Sequence, residues 1–191
     1  MFEVEKRAFI EKKDLNRLMK ELDKKTKFVK TKKFHTLLYP KPHYLRIRWS
    51  DDKKSKNNIS NITVKKGKYA DGFREEYEMD ILVKDIPNLV AIFQALGFDK
   101  CSYLKSEWYS YEYKGFKIDL TSHDYLGTLL EIEKLTSNKN EIQKISDEIT
   151  EIMKELGLKE LSTNKYQKMM NKMYKDSLKS IKSQKILKVI R

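Results

Sequence analysis

The chain has 191 residues, of which 39% are hydrophobic and 36% charged, with a formal net charge of +13. That length suits one domain, or one domain with an appendage, with enough apolar residues for a core beneath a heavily ionic surface. It holds no apolar run of about 18 residues, which argues against a transmembrane helix, and its one cysteine, Cys101, excludes an internal disulfide. The lone thiol fits a reducing compartment, and Glu3, Glu5, Lys6 and Arg7 stand where a secretory leader would be apolar, so a cytoplasmic protein with no membrane association is expected. The basic excess would attract polyanions such as nucleic acid, nucleotides or polyphosphate, although a solvated lysine-rich surface gives the same composition. His35, His43 and His123 have no His or Cys at ligand spacing, which leaves zinc unsupported, and neither common glycine-rich phosphate loop is present.

Phe2 to Ile10 reads as a strand, with Glu3, Glu5 and Arg7 on one face and Val4 and Ala8 on the other. Carboxylates at i and i+2 on one face stand about 6.5–7 Å apart at Cα, within joint reach of a hard divalent cation; a solvated edge strand gives the same pattern. Asp14 is placed to cap a helix striped by Leu15, Leu18, Met19 and Leu22. Lysine-rich sequence leads to a short strand, Phe34 to Tyr39, broken by Pro40 and Pro42.

Tyr44 to Ser50 alternates Tyr44, Arg46 and Arg48 with Leu45, Ile47 and Trp49. Asp51 to Asn61, with Asn57-Asn58, reads as a loop, and Ile62 to Lys66 as a strand that sets Thr63 and Lys65 opposite Ile62 and Val64. A loop with Gly67 and Gly72 leads to a strand over Phe73–Val83, where Arg74, Glu76, Glu78 and Asp80 alternate with Phe73, Tyr77, Met79 and Ile81. Pro87 opens a helix that runs to Leu96 and stops at Gly97.

Tyr103–Tyr113 and Phe116–Thr121 form a hairpin about Lys114-Gly115, and Gly127 precedes a strand over Thr128–Leu135 with Glu131 and Glu133 on one face. Ile142, Ile145, Ile149, Ile152 and Leu156 stripe a helix ended by Gly157. Ser162 or Thr163 caps a last helix, on which Tyr166 shares a stripe with Met169, Met170 and Met173 and is expected to pack in the core. Residues 176–191 are expected as a basic helical extension that frays.

Six or more of these strands have one apolar face and one face bearing charges of both signs. A plain sheet with one wet side satisfies the pattern. So does a closed barrel, with the charges lining its interior and amphipathic helices covering the outside. A lumen of mixed carboxylates and guanidiniums must be internally paired and ion-filled, and it suits a phosphate chain held with Mg²⁺ or Mn²⁺.

Glu3-Val4-Glu5-Lys6-Arg7 resembles the Glu-x-Glu-x-Lys signature of the CYTH domain, the triphosphate tunnel metalloenzymes. The resemblance continues in order through Leu45-Arg46-Ile47-Arg48, Thr63-Val64-Lys65, Arg74-Glu75-Glu76-Tyr77-Glu78, Leu96-Gly97-Phe98 and Leu126-Gly127-x-x-Leu130-Glu131-Ile132-Glu133. Leu156-Gly157-Leu158 followed by Lys165-Tyr166 is similar to the family's closing element, so the match spans residues 1–175. It implies an α+β fold: a closed eight-stranded antiparallel β-barrel, or tunnel, with helices packed outside. It also implies a metal-dependent hydrolase of inorganic, thiamine or nucleoside triphosphate, or a class IV adenylyl cyclase closing ATP into cyclic AMP.

By the same resemblance, Glu3, Glu5, Glu131 and Glu133 hold Mg²⁺ or Mn²⁺, and Arg7, Arg46, Arg48, Lys65, Arg74 and Lys105 bind the triphosphate. Glu76 and Glu78 are catalytic acids that ligate metal or orient water; as plain residues they are equally cross-strand partners for the arginines. The chain departs from the family in three places: Arg7 stands for the signature Lys, Glu107 for the Arg that follows Lys105, and Thr121, with Asp119 two residues earlier, for an expected Asp. A non-catalytic polyanion or RNA binder is the other class the charge supports. The sequence does not fix the oligomeric state.

Overall fold

The structure is a computed structural model that describes residues 2–40, 44–50, 59–66 and 75–180. In chain order the strands are β1 (Phe2–Ile10), β2 (Lys27–Tyr39), β3 (Tyr44–Ser50), β4 (Ile59–Lys66), β5 (Glu75–Leu82), β6 (Lys100–Tyr113), β7 (Phe116–His123), β8 (Gly127–Thr136) and β9 (Leu178–Ser180). The helices are α1 (Lys12–Lys25), α2 (Ile86–Ala95), α3 (Ile142–Glu155) and α4 (Thr163–Ser177).

The strands pair in the order β1-β8-β7-β6-β2-β3-β4-β5, with β9 added beside β6, an α+β fold built on an eight-stranded antiparallel sheet. The described ladders include no β1–β5 pairing that would close it into the expected barrel. No helix among the described residues is long and apolar enough to cross a membrane.

The chain divides into two compact units. The first comprises residues 1–31, 69–73 and 107–169. Its core takes Val4, Ala8 and Ile10 from β1, Ile118 and Leu120 from β7, and Leu130 and Ile132 from β8, against Leu18 and Leu22 of α1 and the α3 stripe Ile145, Ile149 and Ile152. The alternation read from the sequence thus puts one face of each strand under helices, and each fully buried aliphatic side chain contributes about 1.5–3 kcal/mol. The β6–β7 turn places Lys114 at φ 51 and Gly115 at φ 76, the paired positive values of a turn that matches strand twist.

The second unit comprises residues 32–68, 74–106 and 170–191. Its core gathers Leu37 and Tyr39 of β2, Leu45, Ile47 and Trp49 of β3, Ile86 and Val90 of α2, and Cys101 of β6. Pro lies in the first turn of α2, and at its end Phe98 N–H donates to the Phe93 carbonyl at 2.9 Å around Gly97 at φ 88.

Several boundaries differ from expectation. Glu11, not Asp14, is the N-cap of α1, with no side-chain cap bond, and Asp14 sits in the first turn. β2 begins at Lys27, seven residues before the expected Phe34, and β4 begins at Ile59, inside the expected loop. The last helix ends at Ser177, and Leu178–Ser180 pair with Lys100–Ser102 instead of continuing as helix. His43, the remainder of the Asn57-Asn58 loop, the Gly67–Gly72 loop, Phe73, Arg74 and residues 181–191 lie outside the described residues.

Candidate functional site

The charged face of the first unit is set by strand register. Glu5 on β1 stands opposite Glu133 on β8, which stands opposite Lys117 on β7. The next row on this face reads Arg7, Glu131 and Asp119. Each row therefore opposes two carboxylates directly, which is unfavourable unless a cation intervenes.

Arg7 intervenes on one side: Nη2 donates to Glu5 Oε1 at 2.5 Å and Nε to Glu131 Oε1 at 2.5 Å. Lys117 intervenes on the other, with Nζ donating to Glu133 Oε1 at 2.6 Å and lying 2.9 Å from Asp119 Oδ2. Burial alone would lower the Lys117 pKa, but the bonds to Asp119 and Glu133 outweigh it and hold the ammonium above the ordinary lysine range. The Asp119 side chain is 3% exposed, and its Oδ1 accepts a hydrogen bond from Ser110 Oγ at 2.6 Å.

Glu3, Glu5 and Glu133 each present a carboxylate oxygen, and the three atoms lie within 4.8 Å of one another. An all-oxygen anionic set fits hard Mg²⁺ or Mn²⁺ and does not fit a thiophilic metal. Glu131, expected beside them, is the acceptor of Arg7 and is not one of this trio. Thus three of the four acids read as metal ligands converge, and the fourth fixes the first basic residue.

The segment before α4 is tied to β1 by Leu161 N–H donating to the Arg7 carbonyl at 2.7 Å. Ser162 Oγ accepts the Lys165 N–H at 3.4 Å at the start of α4. Tyr166 is thereby delivered to Arg7, whose guanidinium carbon lies 4.6 Å from the ring centroid. The expected core role of Tyr166 is corrected: Met170 and Met173 are buried, while Tyr166 is half-buried over the arginine. A cleft of about 330 Å³ is lined by Glu3, Glu5, Arg7, Glu160, Thr163 and Tyr166, among others.

In the second unit the bases lie in rows that end on β5 acids. Arg46 is opposite Thr63, which is opposite Glu78; Tyr44, Lys65 and Glu76 form the next row. Arg46 Nη2 donates to Thr63 Oγ1 at 2.8 Å and lies 3.7 Å from Glu78 Oε1. Arg46 Nε is buried with no hydrogen-bond acceptor among the described residues. Arg48 lies over the Phe34 ring at 5.4 Å, and Lys105 is exposed on β6. Glu78 thus behaves as an ion-pair partner of Arg46, with its side chain 52% exposed.

Sequence reasoning passed over Lys117 and Ser110. Lys117 and Asp119 alternate with the buried Ile118 and Leu120, the same pattern that singled out Glu131 and Glu133, but they belong to no quoted motif. Thr121, at the position of the expected Asp, is buried with its hydroxyl unpartnered among the described residues, and Asp119 supplies the carboxylate one pleat away.

A candidate adenylate cyclase of Methanocaldococcus jannaschii is 27% identical over 162 residues, covering 83% of this chain and 91% of that protein. Among solved structures, the PH1819 protein of Pyrococcus horikoshii matches with a TM-score of 0.72 at 22% identity, over 89% of this chain and 98% of that one. A candidate adenylyl cyclase of Hippeastrum, described with a dominant triphosphatase activity, matches with a TM-score of 0.57 at 18% identity, over 85% of this chain and 92% of that one. These two likenesses speak for the fold. The model of the CYTH domain matches residues 1–166, most of the chain, and the protein belongs to the CYTH domain family.

Proposed function

We propose that the protein is a cytoplasmic, divalent-metal-dependent phosphohydrolase acting on inorganic, thiamine or nucleoside triphosphate. The observation that carries this reading is the carboxylate trio of Glu3, Glu5 and Glu133 beside the guanidinium of Arg7. Two of these carboxylates, Glu3 and Glu5, stand with Arg7 on β1 at every second residue, and Glu133 joins them from the neighbouring β8, so ligands for a hard cation adjoin a phosphate-binding fork.

In this reading Glu3, Glu5 and Glu133 hold Mg²⁺ or Mn²⁺, and Glu131, which also accepts Arg7, is the fourth ligand. The chemistry such an ion supplies is polarisation of phosphate oxygens and neutralisation of their charge. Arg7, held by Glu5 and Glu131 and covered by Tyr166, binds one phosphate group bidentately. Arg46, Arg48, Lys65, Arg74 and Lys105 neutralise the remainder of the chain. Glu76 and Glu78 orient the attacking water. Catalysis then rests on positioning and charge stabilisation, the main demands of phosphoryl transfer. The strands close into the tunnel that the family resemblance implies.

A second reading, cyclisation of ATP, is favoured by the name of the Methanocaldococcus relative. Chromatographic separation of products from ATP and from inorganic triphosphate, with Mg²⁺ and with Mn²⁺, decides between them. Orthophosphate as a main product supports the hydrolase; cyclic AMP with pyrophosphate supports the cyclase and refutes it. RNA binding that survives chelator, with no turnover of any triphosphate, refutes both.

A further inference from the structure

In the row Arg46, Thr63, Glu78 a neutral residue on β4 separates a base on β3 from an acid on β5. Thr63 is fully buried. Its hydroxyl oxygen accepts Arg46 Nη2 at 2.8 Å and lies 3.1 Å from Glu78 Oε1, whereas Arg46 and Glu78 stand 3.7 Å apart, beyond hydrogen-bond reach. A hydroxyl has one proton to give, and the shorter contact takes it to Asn61 Oδ1 at 2.6 Å. Asn61 in turn points its amide nitrogen at Asp80 Oδ1, 3.5 Å away. Donation therefore runs one way, from Arg46 to Thr63 to Asn61 to Asp80, and the lone pairs of Thr63 are left for the arginine.

We infer that Thr63 is a positioning residue that aims the Arg46 guanidinium with a neutral oxygen and keeps Glu78 from closing on it, a role that rests on the triphosphate reading proposed above. A guanidinium is always charged and grips phosphate through a planar fork, so its anchor decides how much of that charge reaches a ligand. A carboxylate in direct contact would neutralise Arg46 and compete with phosphate for the same N–H groups. The hydroxyl fixes the direction of one nitrogen and brings no charge of its own. Threonine suits the task because branching at Cβ restricts its rotation. Arg46 is 13% exposed and Glu78 52%, so the arginine is held against the sheet while the carboxylate keeps its water. Without the hydroxyl, Glu78 is the nearest acceptor for Nη2, and the long ion pair shortens into one that withholds Arg46 from the substrate.

The test is steady-state phosphate release by the full-length protein from inorganic, thiamine and adenosine triphosphate with Mg²⁺. Thr63→Val raises KM about 10-fold, the loss of one hydrogen bond to a charged group, with kcat within about threefold of wild type. Thr63→Ser keeps the hydroxyl and holds KM within about twofold of wild type. Glu78→Gln added to Thr63→Val brings KM back toward wild type, whatever it does to kcat, because a neutral amide no longer takes the charge of Arg46. A loss of packing alone would not respond to that second change. A Thr63→Val protein that is folded by far-ultraviolet circular dichroism and has wild-type KM overturns the role. So does a Thr63→Ser as impaired as Thr63→Val, or a double variant whose KM is no lower than that of Thr63→Val. If Thr63→Val does not fold, Thr63→Ala is read in the same way, and failure of both to fold makes the hydroxyl structural and overturns the role as well. Each of these outcomes leaves the triphosphate reading intact, whereas a wild type that releases phosphate from none of the three compounds overturns the two together.

Discussion

Glu5 and Glu133 face each other across the β1–β8 ladder, two carboxylates in directly opposed register. A folded chain keeps such a pair only with compensation, since directly opposed like charges cost roughly 0.2–1 kcal/mol. Arg7 and Lys117 give part of it from either side, and Glu3 adds a third acid where repulsion alone would exclude one. Glu3 stands opposite Leu135 and is tied to this group by geometry, not by register. Glu3→Gln is therefore expected to lower metal-dependent kcat/KM at least about 100-fold, more than loss of a group behind a ligand costs. Steady-state phosphate release measures it, with circular dichroism showing the fold retained; a rate near wild type would contradict the ligand assignment.

The Tyr166 ring lies over the Arg7 guanidinium, whose carbon is 4.6 Å from the ring centroid. Tyr166→Phe should then keep substrate affinity within about twofold, while Tyr166→Ala raises KM by about 3–10-fold, the equivalent of a cation–π contact of roughly 0.5–1.5 kcal/mol. Equal losses in the two variants would point to the hydroxyl instead.

Gly127 opens β8 at φ +77, and a Cβ there would meet the Phe9 ring at 3.1 Å. Both the left-handed backbone and the close ring oppose any side chain, so Gly127→Ala is expected to destabilise by about 1–3 kcal/mol. Urea unfolding with an unchanged m-value checks this, and a neutral substitution would show that the turn relaxes.

Stability should decline in alkali for a stated reason. Burial pushes the Cys101 thiol up to about 12 from 9.0, with the nearby Tyr39 phenol pulling weakly the other way. Burial, then the charge of Asp23, pushes the Tyr111 phenol up to about 12 from 10.0. Both groups stay neutral in the folded chain and ionise earlier in the unfolded one. Their contribution is complete below about pH 9 and is lost as the pH rises toward 12. The denaturation midpoint should be level to about pH 9 and then fall, with Cys101→Ala flattening the first part of the fall. In the native protein at pH 8 a thiol reagent should find Cys101 unreactive until denaturant is added.

Much of this arrangement was legible in the sequence because strand period and charge coincide. On β3, Leu45, Ile47 and Trp49 alternate with Tyr44, Arg46 and Arg48, so burial and register followed from the letters. Glu3, Glu5, Glu131 and Glu133 were legible for the same reason, and the ordered motifs joined them. What was hidden depends on partners far along the chain. Lys117 is one lysine among many until the β7–β8 register sets it against Glu133. Tyr166 sits at helical spacing from buried methionines, and only the bond from Leu161 to Arg7 directs it to the arginine. The first half of β2 escaped notice because Phe28 and Val29 are each 50% exposed, so the lysine-rich strand lacks an apolar alternation.

The most direct test of the central claim is phosphorus nuclear magnetic resonance of inorganic triphosphate mixed with the protein and Mg²⁺ or Mn²⁺, followed by addition of chelator. The account predicts that triphosphate resonances give way to those of orthophosphate and pyrophosphate, that chelator stops the conversion, and that Glu3→Gln shows none. Turnover that persists under chelator, or that Glu3→Gln supports at the wild-type rate, would contradict it.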